Sequence, residues 1–292
     1  MPRVRRDSAR RSSGSVGVGS AAAIGLVAGG ISLLRLWLGS SSSITENLWA
    51  EDGLFALCSA KANFLSCIVD PYAGYLHFTP RLLSAGTALS PISWWPLASN
   101  VIAAIFVGVV AGFVWILSRR ARIRAFGALV VALLPAVAPV SGLESLNAIS
   151  HAWSLLLYAA SIAVVLAGRL SSSWIYVTSV SLILLVTGLT IPSAALLLGA
   201  LLVQRIRGVI SRRVGAIWGL SLGIGLIPQL GYVFLFRGTR PNYASLETLN
   251  FWADSLPLFL FSYWPGLSLG EFSFHTEFTL APFPLTGWLL TL

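Results

Sequence analysis

The chain has 292 residues, of which 56% are hydrophobic and 10% charged, and its mean hydropathy is +0.83. Soluble domains carry about 25% charged residues, so this composition excludes an ordinary water-soluble fold and indicates an all-α polytopic membrane protein. The formal charge of +9 is almost all arginine, clustered between apolar runs, which is a topology pattern; no nucleic-acid partner is expected.

Residues 1–20 hold Arg3, Arg5, Arg6, Arg10 and Arg11, then serines and glycines. Such a segment cannot bury a core and reads as a disordered cytoplasmic tail. The apolar run 21–38 has the basic flank of a secretory signal, but no small-x-small cleavage site follows, and it reads as a retained helix. Arg35 is close enough to its far end to snorkel. A long outer loop, 39–93, comes next. Within it, 76–89 is amphipathic enough to lie as a helix at the membrane interface, with Pro80 tolerable in its first turn. Cys58 and Cys67 share this loop. Either they pair in an oxidising compartment or they pack as buried thiols, and no zinc-type spacing accompanies them.

A span over about 94–117 opens on Trp94 and Trp95 and closes on Arg119, Arg120, Arg122 and Arg124, a cytoplasmic stop. Further spans are expected over 125–140, interrupted by Pro135 and Pro139, and over about 146–168, ending at Arg169. The stretch 173–204 lies between two basic flanks. One straight helix would put those flanks on opposite sides, so a break at Gly188-Leu189-Thr190-Ile191-Pro192 is expected, with two short helices meeting at the outer face. With a span over 214–236 the total is about seven transmembrane helices, and 21–236 forms the membrane module. The proline- and aromatic-rich segment 237–292 reads as extracytoplasmic or interfacial, with 256–269 a partial helix. Its end resembles the opening of a further span cut short, since about 20 apolar residues are needed to cross.

With the tail inside, fourteen arginines fall on the cytoplasmic side, whereas Arg81, Arg237, Arg240 and Lys61 fall outside. Nine of the ten acids, all but Asp7, also fall outside. The positive-inside rule concerns Lys and Arg only, so the acid asymmetry needs its own cause. Chemistry at the outer face supplies one.

The adjacent acids Glu51 and Asp52 stand in apolar surroundings. Such carboxylates raise each other's pKa when desolvated, and one that is deprotonated beside a hydroxyl acts as a general base. Asp52 is expected as the base, with Glu51 as its helper or as a ligand for a metal or a sugar hydroxyl. The competing reading is a helix N-terminal cap ahead of Gly53-Leu54-Phe55. Arg81 suits bidentate binding of a donor lipid phosphate, with His77 and Tyr75 as further donors; pairing with a headgroup or a nearby acid explains Arg81 equally. Glu144, Asn147 and His151, spaced i, i+3, i+7, share one helix face. They would line a substrate cavity or bond to a neighbouring helix. Arg237 and Arg240, before Pro241, read as a solvated loop.

Three stretches, Trp49-Ala50-Glu51-Asp52-Gly53, Tyr72-x-Gly74-Tyr75 with Pro80-Arg81, and Glu144-x-x-Asn147-x-x-x-His151-x-Trp153, resemble the GT-C superfamily of polyprenyl-phosphate-sugar-dependent glycosyltransferases. The resemblance spans about residues 20–240. It implies a first helix followed by a long outer loop whose acid activates the acceptor. The acceptor oxygen attacks the anomeric carbon with inversion, and the polyprenyl phosphate departs. The implied partners are a polyprenyl-phosphate-linked sugar, membrane lipids and an extracytoplasmic acceptor: a polysaccharide, a lipid or a protein. The implied location is the cell membrane, multi-pass, with a cytoplasmic N-terminus. No cofactor is assigned, and a divalent cation stays open. There is no P-loop, Cys/His cluster or Gly-x-Ser-x-Gly elbow. Two other classes compete. A lipid-linked-sugar flippase or small-molecule transporter would place its ionisable residues near the midplane and often shows internal repeats. A non-catalytic scaffold would use the acid pair only as a cap.

Overall fold

The computed structural model describes residues 17–39, 45–46, 48–61, 63–72, 74–137, 148–170 and 173–235. Residues 1–16 of the expected tail, Glu144, Asn147, Arg237, Arg240 and the whole of 237–292 lie outside the described residues, whereas 18–20, expected to belong to the disordered tail, open the first helix instead. Among those described there is no strand, only an isolated bridge between Tyr72 and Tyr75. The helices are α1 (Val18–Gly39), α2 (Ala50–Lys61), α3 (Phe64–Val69), α4 (Phe78–Ala88), α5 (Trp95–Arg120), α6 (Ala125–Val137), α7 (Ala152–Val165), α8 (Trp174–Thr190), α9 (Leu196–Ile206) and α10 (Arg212–Leu235).

Among the described residues, three helical stretches are long and apolar enough to cross a membrane: Val18–Leu38, Ile92–Arg120 and Arg212–Val233. That is fewer than the seven expected. Four shorter apolar helices, Ala125–Val137, Ile149–Val165, Trp174–Thr190 and Pro192–Ile206, occupy the remaining expected spans.

The break expected between 188 and 192 is present. Pro192 lacks an N–H and disfavours helical geometry in the residue before it; Ile191 is accordingly extended at φ −148° and ψ 133°. A 3-10 turn at Pro192–Ala195 then leads into α9. Trp218 Nε1 donates to the Val177 carbonyl near the start of α8, and Gln229 Nε2 donates to Leu189 near its end. Helices α8 and α10 therefore run parallel, and α9 is the return between them. Arg169, Arg205, Arg207, Arg212 and Arg213 all fall at one end of the bundle as a result.

Helices α1 and α5 run antiparallel, with Trp115 donating to Ser20 Oγ. Their axes meet at glycine: a Cβ added to Gly25 would lie 2.7 Å from the Gly108 carbonyl oxygen, and one added to Gly108 would lie 2.6 Å from that of Gly25. In lipid, apolar side chains gain little by leaving apolar solvent, so close backbone approach is what joins such helices. The same device joins α8 to α10, where a Cβ on Gly225 would strike Leu185 O and lie 3.0 Å from Leu189 N. The largest apolar cluster, with Leu117, Val164, Val180, Leu184, Trp218 and Leu222, fills the space among α5, α7, α8 and α10.

The expected interfacial helix forms as α4, but it is enclosed and turned inside out. It packs against α2, α5, α7 and α8. Thr79, Arg81, Ser84 and Thr87 are buried, while Leu82 and Leu89 are exposed. An outward apolar face and an inward polar one is the reverse of a helix on a water-soluble protein.

Candidate functional site

The described residues between 45 and 91 gather at the end of the bundle away from Arg119 to Arg124, and four polar clamps fix them there. The first is Asp52. Its carboxylate accepts hydrogen bonds from Ile149 N at 2.8 Å, Ser150 N at 2.7 Å and Ser99 Oγ at 3.1 Å. It is 2% exposed, and it satisfies the orphan N–H groups where the chain enters α7 through the turn Ile149–His151. Burial pushes its pKa up, opposed by the Ser150 and Ile149 N–H groups and by Ser99. Glu51 and Asp52 both fall in the first turn of α2, as the helix-terminus reading has it, and the Asp52 carboxylate in addition caps the entry to a helix about 100 residues away.

The second clamp is Gln229. Its amide donates to Leu76 O at 2.8 Å and to Leu189 O at 2.7 Å, and it accepts from Leu76 N at 3.0 Å. The side chain stands in for a neighbouring strand and holds the extended backbone that carries Tyr75 and His77. That backbone turns at Gly74, where φ of 81° favours glycine. Thr79 Oγ1 lies 2.8 Å from Thr190 Oγ1, and Tyr232 OH donates to Val69 O at 2.6 Å. A disulfide joins Cys58 to Cys67 and closes α2 onto α3.

These clamps bring Glu51, Tyr75, His77 and Arg81 together around Phe55 and Tyr72. Glu51 accepts from Trp49 Nε1 at 2.5 Å and from Tyr72 OH at 3.3 Å. Tyr75 stacks on His77 with centroids 4.1 Å apart, and Phe55 and Tyr72 flank the same imidazole at 5.8 Å and 5.4 Å. Burial, reinforced by the Arg81 charge and opposed by Glu51 and by the Tyr72 backbone, pushes the His77 pKa down to about 4. The ring is neutral at pH 7. The Arg81 guanidinium sits 4.8 Å from the Phe55 ring centroid and makes one ion pair, to Asp70 at 3.2 Å. Arg81 is only 4% exposed whereas Asp70 is 58% exposed. Burial lowers its pKa, opposed by the charge and hydrogen bond of Asp70.

A line of unsatisfied polar atoms runs along the inner face of α4. Both His77 ring nitrogens, Arg81 Nε, Ser84 Oγ and Thr87 Oγ1 are buried without a hydrogen-bond partner. Their spacing of 77, 81, 84 and 87 is one helical stripe. Buried polar atoms are nearly always satisfied, so a stripe of this kind marks where a polar ligand or solvent belongs.

Of the residues expected from the sequence, His151 joins the margin of this cluster, its ring 5.9 Å from that of Trp49. Glu144 and Asn147 lie outside the described residues. Sequence reasoning missed Gln229 and Ser99, and it quoted Tyr72 and Phe55 within motifs without giving them a role. The available signal was Gln229 itself, an uncharged polar residue beside Pro228 in an apolar span, which needs an internal partner. No group of three His, Cys, Asp or Glu that could hold a metal occurs among the described residues. Compared with protein-family models, with curated proteins and with solved structures, the chain gives no match, and its functional reading rests on the geometry above.

Proposed function

We propose that the chain is a multi-pass membrane glycosyltransferase that moves a sugar from a polyprenyl-phosphate donor to an extracytoplasmic acceptor. In this reading all seven apolar helices, three long and four short, sit in the bilayer. The observation that carries it is the buried, unsatisfied stripe of His77, Arg81, Ser84 and Thr87 beside Glu51. A guanidinium next to neutral N–H and hydroxyl donors suits a phosphate bearing a sugar. The Cys58–Cys67 disulfide supports placing this end in an oxidising compartment. The arginine clusters at the opposite end support a cytoplasmic assignment there.

The two adjacent carboxylates exchange the roles expected from sequence. Asp52 has both oxygens committed to capping and is a positioning residue. Glu51 is partly exposed; it takes the proton of the acceptor hydroxyl. The acceptor oxygen bonds to the anomeric carbon as the bond to the phosphate oxygen breaks. The electron pair leaves on the polyprenyl phosphate, whose charge Arg81 offsets while His77 donates an N–H.

The test uses purified protein in vesicles, a radiolabelled polyprenyl-phosphate sugar and an envelope acceptor extract, with and without a chelator to settle a cation requirement. Glu51→Gln is expected to lower transfer by about a hundredfold with the unfolding midpoint unchanged; Arg81→Lys is expected to weaken donor binding. Full transfer by Glu51→Gln removes the proposed base. Label that crosses the bilayer still attached to polyprenyl phosphate, with no transfer, replaces this reading by a flippase.

A further inference from the structure

At the end of the bundle away from Glu51, the α5–α6 turn and the α7–α8 connection border an open cavity of about 540 Å³, lined by Arg120, Ala121, Arg122, Arg169 and Leu170. Three guanidinium groups thus share one depression. The described acids, Glu46, Glu51, Asp52 and Asp70, all belong to the segment at the other end. The ion pair found among the described residues, Arg81 with Asp70, is there too. Nothing described offsets the charge of the cavity, and like charges held together raise the local potential for an anion.

The cavity is built, not merely lined by a disordered fringe. Arg120 is held with its guanidinium 4.6 Å from the Tyr176 ring centroid. Tyr176 is 6% exposed, and its hydroxyl has no hydrogen-bond partner. Arg122 has φ of 61°, in the left-handed region that side chains rarely adopt. It stands where α5 is closed by two backbone bonds, Ile123 N to Ser118 O at 3.0 Å and Arg122 N to Arg119 O at 3.1 Å. Glycine is the usual choice for that position. An arginine kept there at a cost in backbone strain points to a use for its charge.

We infer that this cavity binds a phosphate group, carried on the headgroup of an anionic lipid or supplied as free phosphate. The planar fork of arginine matches phosphate oxygens in pairs, three arginines from two connections line the one cavity, and Ala121 and Leu170 add apolar lining that a glycerol stem would cover. The inference is independent of the glycosyl-transfer reading, because the cavity and the Glu51 cluster lie at opposite ends of the bundle.

Thermal unfolding of the full chain in detergent tests it, with phosphatidylglycerol, phosphatidylcholine or inorganic phosphate added. Phosphatidylglycerol or phosphate is expected to raise the unfolding midpoint, and phosphatidylcholine is not. Arg122→Gly removes the guanidinium while easing the left-handed backbone, so it folds at least as well; it is expected to raise the half-saturating concentration about tenfold. Adding Arg120→Gln and Arg169→Gln abolishes the response. Arg212→Gln with Arg213→Gln, at the same end but outside the cavity, leaves it intact. Saturation by phosphate alone assigns free phosphate as the source, and a response to the lipid only assigns the headgroup. An equal response to phosphatidylcholine, an undiminished response in the triple variant, or no response to any additive overturns the inference.

Discussion

His77 gives the sharpest test of how the cluster around Phe55 and Tyr72 is enclosed. Its imidazole is buried among Phe55, Tyr72 and Tyr75, with Arg81 one turn on. The folded pKa is about 4 against an ordinary 6.5, a difference of about 2.5, worth about 3 kcal/mol at 1.36 kcal/mol per pH unit. The folded pKa is the lower one, so the unfolded chain binds more protons between these limits. The stability His77 contributes is full above pH 6.5 and is lost as pH falls from there through about 4. Replacing it by Phe keeps a ring in the cluster and removes the titration. Unfolding in mixed micelles, followed by circular dichroism at several pH values, is expected to show the wild type losing about 3 kcal/mol more than His77→Phe between neutral pH and about pH 4. Asp52 titrates in both chains with the opposite sign and cancels in the difference. If the two chains lose stability in parallel, the imidazole is protonated normally and the enclosed site described above is wrong.

Gly225→Ala is expected to destabilise the α8–α10 pair by about 1–3 kcal/mol, because the new methyl meets backbone that cannot give way. Gly231→Ala, with nothing within 4 Å, serves as the neutral comparison in the same thermal assay, and equal midpoints for the two would refute the contact. Gln229→Leu strands the Leu76 N–H and carbonyl and the Leu189 carbonyl. At about 1–3 kcal/mol per buried unsatisfied group, a loss of at least about 3 kcal/mol is expected, and a loss near zero would show that water replaces the amide. Cys58→Ser opens a loop with sequence separation 9, which loop-closure entropy sets at about 2.5 kcal/mol. A reductant should lower the unfolding midpoint of the wild type and leave the variant unchanged. Asp52→Asn puts an amide where two N–H donors converge, so faster hydrogen exchange at Ile149 and Ser150 is expected, and unchanged exchange would remove Asp52 from its capping role.

The features legible in the sequence were those that arise along the chain. Pro192 and the two basic flanks located the turn between α8 and α9, because proline acts on its own neighbours and arginine clusters mark bundle ends. The Glu51–Asp52 pair was legible as a costly feature, but the division of labour within it was not. Which carboxylate caps and which faces the cluster depends on Ser99, Ile149 and Ser150, and no local spacing encodes them. The inversion of α4 was hidden for a related reason. An amphipathic pattern tells which two faces differ, and only the surrounding solvent decides which face goes inward. Helix pairing was likewise obscured, since exposed and core-facing positions are both apolar and the hydrophobic period fades.

The Gln229–Leu76 clamp also sets the order in which the protein matures. Its partners are 153 residues apart in the chain, so at translation rates of about 5–20 residues per second the Tyr75–His77 backbone waits roughly 8–30 s for its glutamine. Until α10 inserts, Glu51 and Arg81 exist but their scaffold does not. A fragment ending before residue 229 should then leave the Tyr75–His77 backbone unbraced, so the proposed transfer would be acquired only late in synthesis.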